Sequence, residues 1–411
     1  MEEEFDVVIL GAGLKQYALA GILSALSDKK VLLVDQQGYL SGSDRTLQAQ
    51  EFFQYFGNVN CDISRYGDPC SWNVNTVPKL LMSNGALISI LVKTGAVKFL
   101  KFVVISSKFE FRAGRLRRSS DIEIDVQDLL GDSLLGDCDS SSESDSAGEQ
   151  GDSPGSADEG WEHNRRYSFT YAYPYIYPLY GQQSLLRAFS SLCADKGSRI
   201  VSGQSYGGVE IGENGEVTGV YYSDSYIKCK HVVADPFFFP NKCRKVGQVV
   251  RAVCLLRAAI PDTNNTKSCQ IRIPHTQVGR KSDIYIVLLS SDHKVCDSSW
   301  HVATLSTVVE TNNPEQELEA GFELLGCISE KFVFVSDLYE PSENDSKDNI
   351  FVCKSEGASS QCDTVAQDII KIYEEITGEI WEDFSTEGCP LESDLGGLGD
   401  TSEYCVQENK L

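Results

Sequence analysis

The sequence predicts an α/β fold built on a nucleotide-binding type of parallel sheet, joined to further strands. Three observations predict it. Residues 5–10 form a short apolar run rich in β-branched side chains, and the run stops at Gly11-Ala12-Gly13. Residues 17–26 continue as an apolar segment of helical length, and residues 31–34 form a second strand with Asp35 at its end. Much later, His231-Val232-Val233-Ala234-Asp235-Pro236 repeats the buried-strand pattern. Strand, glycine turn, helix and strand make the βαβ unit that opens such sheets.

The remaining elements follow in order. Pro78 stands where a first helical turn favours proline, so residues 77–82 predict the start of a helix, broken at Asn84-Gly85. Residues 87–100 mix apolar and polar positions irregularly and fit neither period. Residues 108–116 predict a hairpin around Ala113-Gly114. From 137 to 160 the composition collapses into Ser, Asp, Glu and Gly. Too little apolar surface is available there to offset the entropy of ordering, which predicts disorder. Residues 171–181 are dense in tyrosine and proline, and residues 185–192 predict an amphipathic helix. Residues 209–211 and 217–222, on either side of Glu213-Asn214-Gly215-Glu216, predict a second hairpin. Apolar runs at 248–259, 284–289 and 332–335 precede a helix at 363–376. There is no internal repeat.

Composition narrows the function. With 411 residues, 41% of them hydrophobic, the chain can bury one large core or two smaller ones. No apolar run reaches the ~20 residues of a membrane helix. The acidic start, Met1-Glu2-Glu3-Glu4, predicts no secretory leader, and the last four residues contain no prenylation cysteine. The 14 cysteines are scattered singly, with no Cys-x-x-Cys pair, which favours reduced thiols over a zinc site or a disulfide framework. The net charge of −24 comes from two stretches, 121–162 and 373–411; the rest of the chain is neutral on balance. Nothing in that pattern supports nucleic-acid binding.

The nucleotide motif itself is broken. A G-x-G-x-x-G fingerprint needs its third glycine so that helix and sheet pack closely. The register here gives Gly11, Gly13 and then Gln16. A long side chain at that position props the helix away or intrudes toward the phosphates. Lys15 beside it offers a positive charge. Asp35 sits where an acid would accept ribose hydroxyls, yet alone it is equally an ordinary strand-end residue. The residues favour a retained scaffold with a closed coenzyme cleft, and predict no flavin or nicotinamide cofactor, no metal and no catalytic constellation.

Several blocks together resemble the Rab GDP-dissociation inhibitor and Rab escort protein superfamily, nearest the inhibitor branch. They are residues 5–14, Trp72-Asn73-Val74-Asn75 with residues 78–85, Tyr177-Pro178-Leu179-Tyr180-Gly181, residues 244–251, 268–274, 280–285 and 336–341. That family also lacks the third glycine. The resemblance implies a flavoprotein monooxygenase-type, FAD/NAD(P)-binding-like three-layer domain with a β-sheet subdomain. It spans residues 1–118 and 167–380. Residues 119–166 replace the family's helical lipid-binding domain with a reduced or disordered acidic insert, and 381–411 form an acidic tail.

The function implied is non-enzymatic. The chain would bind GDP-bound, prenylated Rab GTPases, slow nucleotide release and serve Rab recycling in vesicle traffic. It would be a cytoplasmic monomer with only transient membrane contact. The Rab-facing residues implied are Tyr39, Leu40, Arg244, Lys245, Gln248 and Arg251, with Arg166 and Tyr167 in an effector loop. Arg is suited to bidentate pairing with switch-region carboxylates. The departures concern partner affinity rather than fold. Leu40 stands where the family has a tyrosine, and Asp68-Pro69-Cys70-Ser71 replaces basic residues. The insert offers one modest apolar cluster, too little to wall a prenyl chain, so lipid sheltering is expected to be poor. The competing readings are an escort protein presenting Rab to geranylgeranyltransferase, an FAD-dependent oxidoreductase, and an interaction scaffold acting through the acidic loop.

Overall fold

A computed structural model describes residues 3–35, 45–58, 61–119, 124–125, 168–169, 175–194, 197–203, 206–223, 225–342 and 345–382. The chain divides into two compact units, Met1–Trp381 and Glu382–Leu411, and the fold described is that of the first.

Its centre is a five-stranded parallel sheet in the order Arg199–Ser202, Val31–Asp35, Val7–Leu10, His231–Ala234, Ile350–Val352. The strands are apolar on both faces because both faces are covered. Val7, Ile9, Val31 and Leu33 pack with the helices Leu14–Leu26, Ala86–Lys93, Gln183–Ala194 and Asp363–Thr377. The alternate residues Val8, Leu10, Leu32 and Val34 pack with Val217, Val220 and Ile227 from a four-stranded sheet. Helices, parallel sheet and β-meander are the three layers. The first helix is apolar nearly all round, since it is buried between sheet and helices. Gly21 lets it approach its neighbour: a Cβ there would stand 2.8 Å from Cδ1 of Phe189.

Beside this domain lies a seven-stranded sheet, ordered Ile328–Pro341, Cys243–Leu256, His301–Val308, Ile284–Ser290, Cys269–Ile273, Ser107–Arg112, Arg115–Arg118. One face carries Val253, Leu255, Val287 and Val302 against Phe52, Phe53, Tyr66 and Trp72. The other carries Val250, Ala252, Ile271 and Leu305 against Leu318, Phe322 and Leu325. The fully buried Trp72 donates its indole N–H to the Tyr66 carbonyl at 3.2 Å.

One reading of the sequence needs correction. Residues 77–82 do not start a helix. The Lys79 N–H donates to the Gln182 side chain, the Leu80 N–H to the Ser360 carbonyl, and Leu81–Met82 pairs with the strand Tyr175–Pro178. Tertiary partners take the N–H groups that helix propensity would have used, and the helix begins at Ala86, after Gly85. The ambiguous stretch 87–100 is that helix followed by a 3-10 turn, Ala96–Phe99. The hairpin at Ala113-Gly114 forms as expected, with both residues at positive φ. Of the acidic insert, Ser119 and Ile124–Asp125 are described, the latter paired with Ser168–Phe169; the expected disorder of 137–160 lies outside the described residues.

Candidate functional site

The degenerate motif has a side chain lying over its glycine turn. Gly11 turns at φ +130°, a conformation that disfavours any other residue, and the chain enters the helix at Gly13. Gln16, 4% exposed, folds back over both glycines. A Cβ built on Gly13 would meet its Oε1 at 2.7 Å, and one on Gly11 its Cγ at 3.2 Å. The Gln16 side chain therefore covers the bare glycine backbone that the fingerprint would leave open. At the ribose position, Asp35 accepts a 2.9 Å hydrogen bond from the Tyr17 hydroxyl. Burial raises its pKa, with Tyr17 and Arg45 opposing.

Lys15 does not face a phosphate. Its ammonium donates to the Lys354 carbonyl at 2.7 Å and pairs with Glu356 at 3.2 Å and Asp368 at 3.1 Å. Burial pulls its pKa down, yet the two carboxylates outweigh burial and hold it above the ordinary lysine value. Glu356 also meets Lys79 at 3.5 Å, and Lys79 donates to the carbonyls of Gly357 and Ser359. Glu356 is lowered: burial works against ionisation, but Lys15 and Lys79 prevail. Three cations thus clasp the strap of residues 354–360. The third is Arg251, which donates to the carbonyls of Glu356 at 2.7 Å and Gly357 at 2.8 Å, and to Ser336 at 2.6 Å. Arg251 is 1% exposed, so its expected place on a partner-facing surface is corrected. It binds the strap to the sheet, and deleting it would take this donor from the Glu356 carbonyl at a cost of roughly 1–3 kcal/mol, while Lys79 still donates to the Gly357 carbonyl.

The other three platform residues of the Cys243–Leu256 strand do form an accessible face. Arg244 pairs with Glu340 at 3.2 Å, and Lys245 with Asp337 at 2.7 Å. Gln248 donates to Asp337 at 2.7 Å, and the Tyr339 hydroxyl donates to it at 3.1 Å. These bonds hold the Asp337 carboxyl below the usual aspartate value, Lys245 contributing most. Charges of both signs, cross-paired on neighbouring strands, make a polar surface rather than a basic one. Tyr39, Leu40, Arg166 and Tyr167 lie outside the described residues. Asp68 caps the short 3-10 turn Pro69–Ser71 by accepting the Cys70 N–H at 3.0 Å.

Sequence reasoning missed Lys79, Glu356, Asp368, Asp337, Tyr339 and Glu340. No local motif marks the first three, because their partners are hundreds of residues away. The last three were legible in principle, since a long strand beside residues 244–251 must supply cross-strand partners.

The model of the GDP dissociation inhibitor family matches residues 1–134 and 164–386. The chain belongs to that family. The Rab GDP-dissociation inhibitor of Saccharomyces cerevisiae is 32% identical over 433 residues, covering 92% of this chain and 96% of that protein. The guanosine nucleotide diphosphate dissociation inhibitor 1 of Arabidopsis thaliana is 31% identical over 429 residues, with the same coverage. The crystal structure of a Rab GDI from Plasmodium falciparum superposes with a TM-score of 0.77 at 28% identity, covering 93% of this chain and all of that one. An oxidoreductase from Methanosarcina mazei superposes at 0.55 with 11% identity, covering 90% of this chain, a likeness of fold alone. The yeast match runs longer than this 411-residue chain, so the relative carries positions with no counterpart here. The family match is interrupted at 135–163, the acidic serine-rich tract.

Proposed function

We propose that this chain docks GDP-bound Rab GTPases on the face formed by Arg244, Lys245, Gln248, Asp337, Tyr339 and Glu340, and so retards nucleotide release without catalysing any reaction. The observation that carries the reading is the family match across both parts of the domain, together with a coenzyme cleft stopped by Gln16. A flavoprotein scaffold so altered retains its rigid sheets and offers them as a surface. The chain acts in the cytoplasm and visits membranes to collect its partner. The curated relatives are named for the same activity.

Paired charges on such a face set orientation and association rate more than bulk affinity. Replacing Arg244 and Lys245 together by Gln removes two of them on exposed positions without setting like charges against Glu340 and Asp337. Binding to a GDP-loaded Rab is expected to weaken by about tenfold or more, chiefly through a slower on-rate at low salt. Binding of the double variant equal to wild type would sink the proposed face.

A further inference from the structure

At the mouth of the closed cleft lies a cavity of about 740 Å³, within the range of ligand pockets. Asp337 and Tyr339 of the docking face line it, so a partner on that face sits over the opening. Its inner wall carries Gln16, Asp235 and Glu356. Its rim carries two apolar side chains that water does not welcome, Phe237 at 53% and Val335 at 42% exposure.

The charges around this cavity do not close on themselves. Glu356 is paired with Lys15 and Lys79, and Asp337 with Lys245. Lys354, also in the lining, is exposed to water. Asp235 is different. It is partly buried, its carboxylate accepts the Phe237 N–H at 3.0 Å, and among the described residues no ammonium or guanidinium forms an ion pair with it. Burial raises its pKa, and the Phe237 N–H and Lys15 offset this only in part. A desolvated carboxylate without a counter-ion costs native stability. Such groups persist where a ligand supplies the missing charge.

We propose that the cavity receives a lysine or arginine side chain of the docked GTPase, with its aliphatic stem against Phe237 and Val335 and its cationic head on Asp235. The inference rests on the docking reading above. Long basic side chains bury their stems along apolar surface while the charged head reaches a polar partner. Of the carboxylates in the lining, Glu356 and Asp337 already have lysine partners, which leaves Asp235 as the one that a cation would neutralise.

Asp235→Asn keeps the shape and removes the charge. Its affinity for a GDP-loaded Rab that binds wild type is expected to fall by about 30-fold or more, mainly through faster dissociation. The melting temperature of the variant alone stays the same or rises, because a desolvated charge has gone. Phe237→Ala, at an exposed rim position, weakens binding by a smaller factor with the fold unchanged. If Asp235→Asn binds as wild type does, the cavity takes no cation, while the docking reading stands. If it binds less and also melts lower, Asp235 is a folding residue and the proposal fails. If wild type binds no GDP-loaded Rab, the docking reading fails and this proposal with it.

Discussion

His293 is fully buried, and its two ring nitrogens have no hydrogen-bond partner among the described residues. Burial pushes its pKa down to about 4, with Asp292 pulling weakly the other way. Unfolded, the ring protonates near 6.5. As pH falls from there toward 4, the unfolded chain binds a proton that the folded chain refuses, so stability falls. The full loss is about 3 kcal/mol. Denaturant unfolding at about pH 7 and about pH 4.5 should show wild type losing more stability than His293→Leu, which lacks the titrating ring. Identical losses in the two proteins would mean that the ring is hydrated. Legibility at this scale was uneven. Gln16 was readable because the fingerprint assigns each glycine a separate physical task. Arg251 was misplaced because the resemblance carried the whole block 244–251 over to a partner-facing surface. Three residues apart on a strand, Gln248 and Arg251 point to opposite faces, and that parity was available in the sequence.

The elements with strong periods were legible: the first strand, turn and helix, the two hairpins, and the helix ending at Thr377. What failed was 77–82, where propensity lost to partners at Gln182 and Ser360 that no local window contains. Nor did the apolar run 332–335 reveal a 14-residue strand, Ile328–Pro341, because most of that strand is only half-buried. The acidic insert belongs to this scale. Relatives carry aligned positions that this chain lacks, and the family match breaks within the insert. Sheltering a geranylgeranyl chain is worth ~0.8 kcal/mol per CH₂, but only inside a walled apolar cavity. The chain is therefore expected to bind GDP-loaded, prenylated Rab in detergent yet to extract it from liposomes poorly. Extraction as efficient as that of a full-length family member would show that the lipid is sheltered by another part of the molecule.

At the scale of the whole molecule, two sheets are locked together where a flavoprotein would hold its coenzyme. Lys15 comes from the first helix, Lys79 from the segment before Leu81–Met82, and Arg251 from the seven-stranded sheet; all three hold the strap 354–360. A buried charge network of this kind is costly unless every member is satisfied, and its value lies in holding one arrangement. The consequence is that the two sheets are held in one arrangement by the protein's own charges. The sequence revealed the fold because its periods and its broken motif are local. It could not reveal the lock, whose members meet only in three dimensions.

The proposed function is that this face holds a GTPase in its GDP state. The most direct measurement is the release rate of a fluorescent GDP analogue from a Rab, with and without a saturating amount of the purified full chain. The account predicts release slowed by at least about tenfold, since docking that favours the GDP-bound state stabilises it in proportion to the affinity difference. Release at the same rate in the presence and absence of the chain would contradict it.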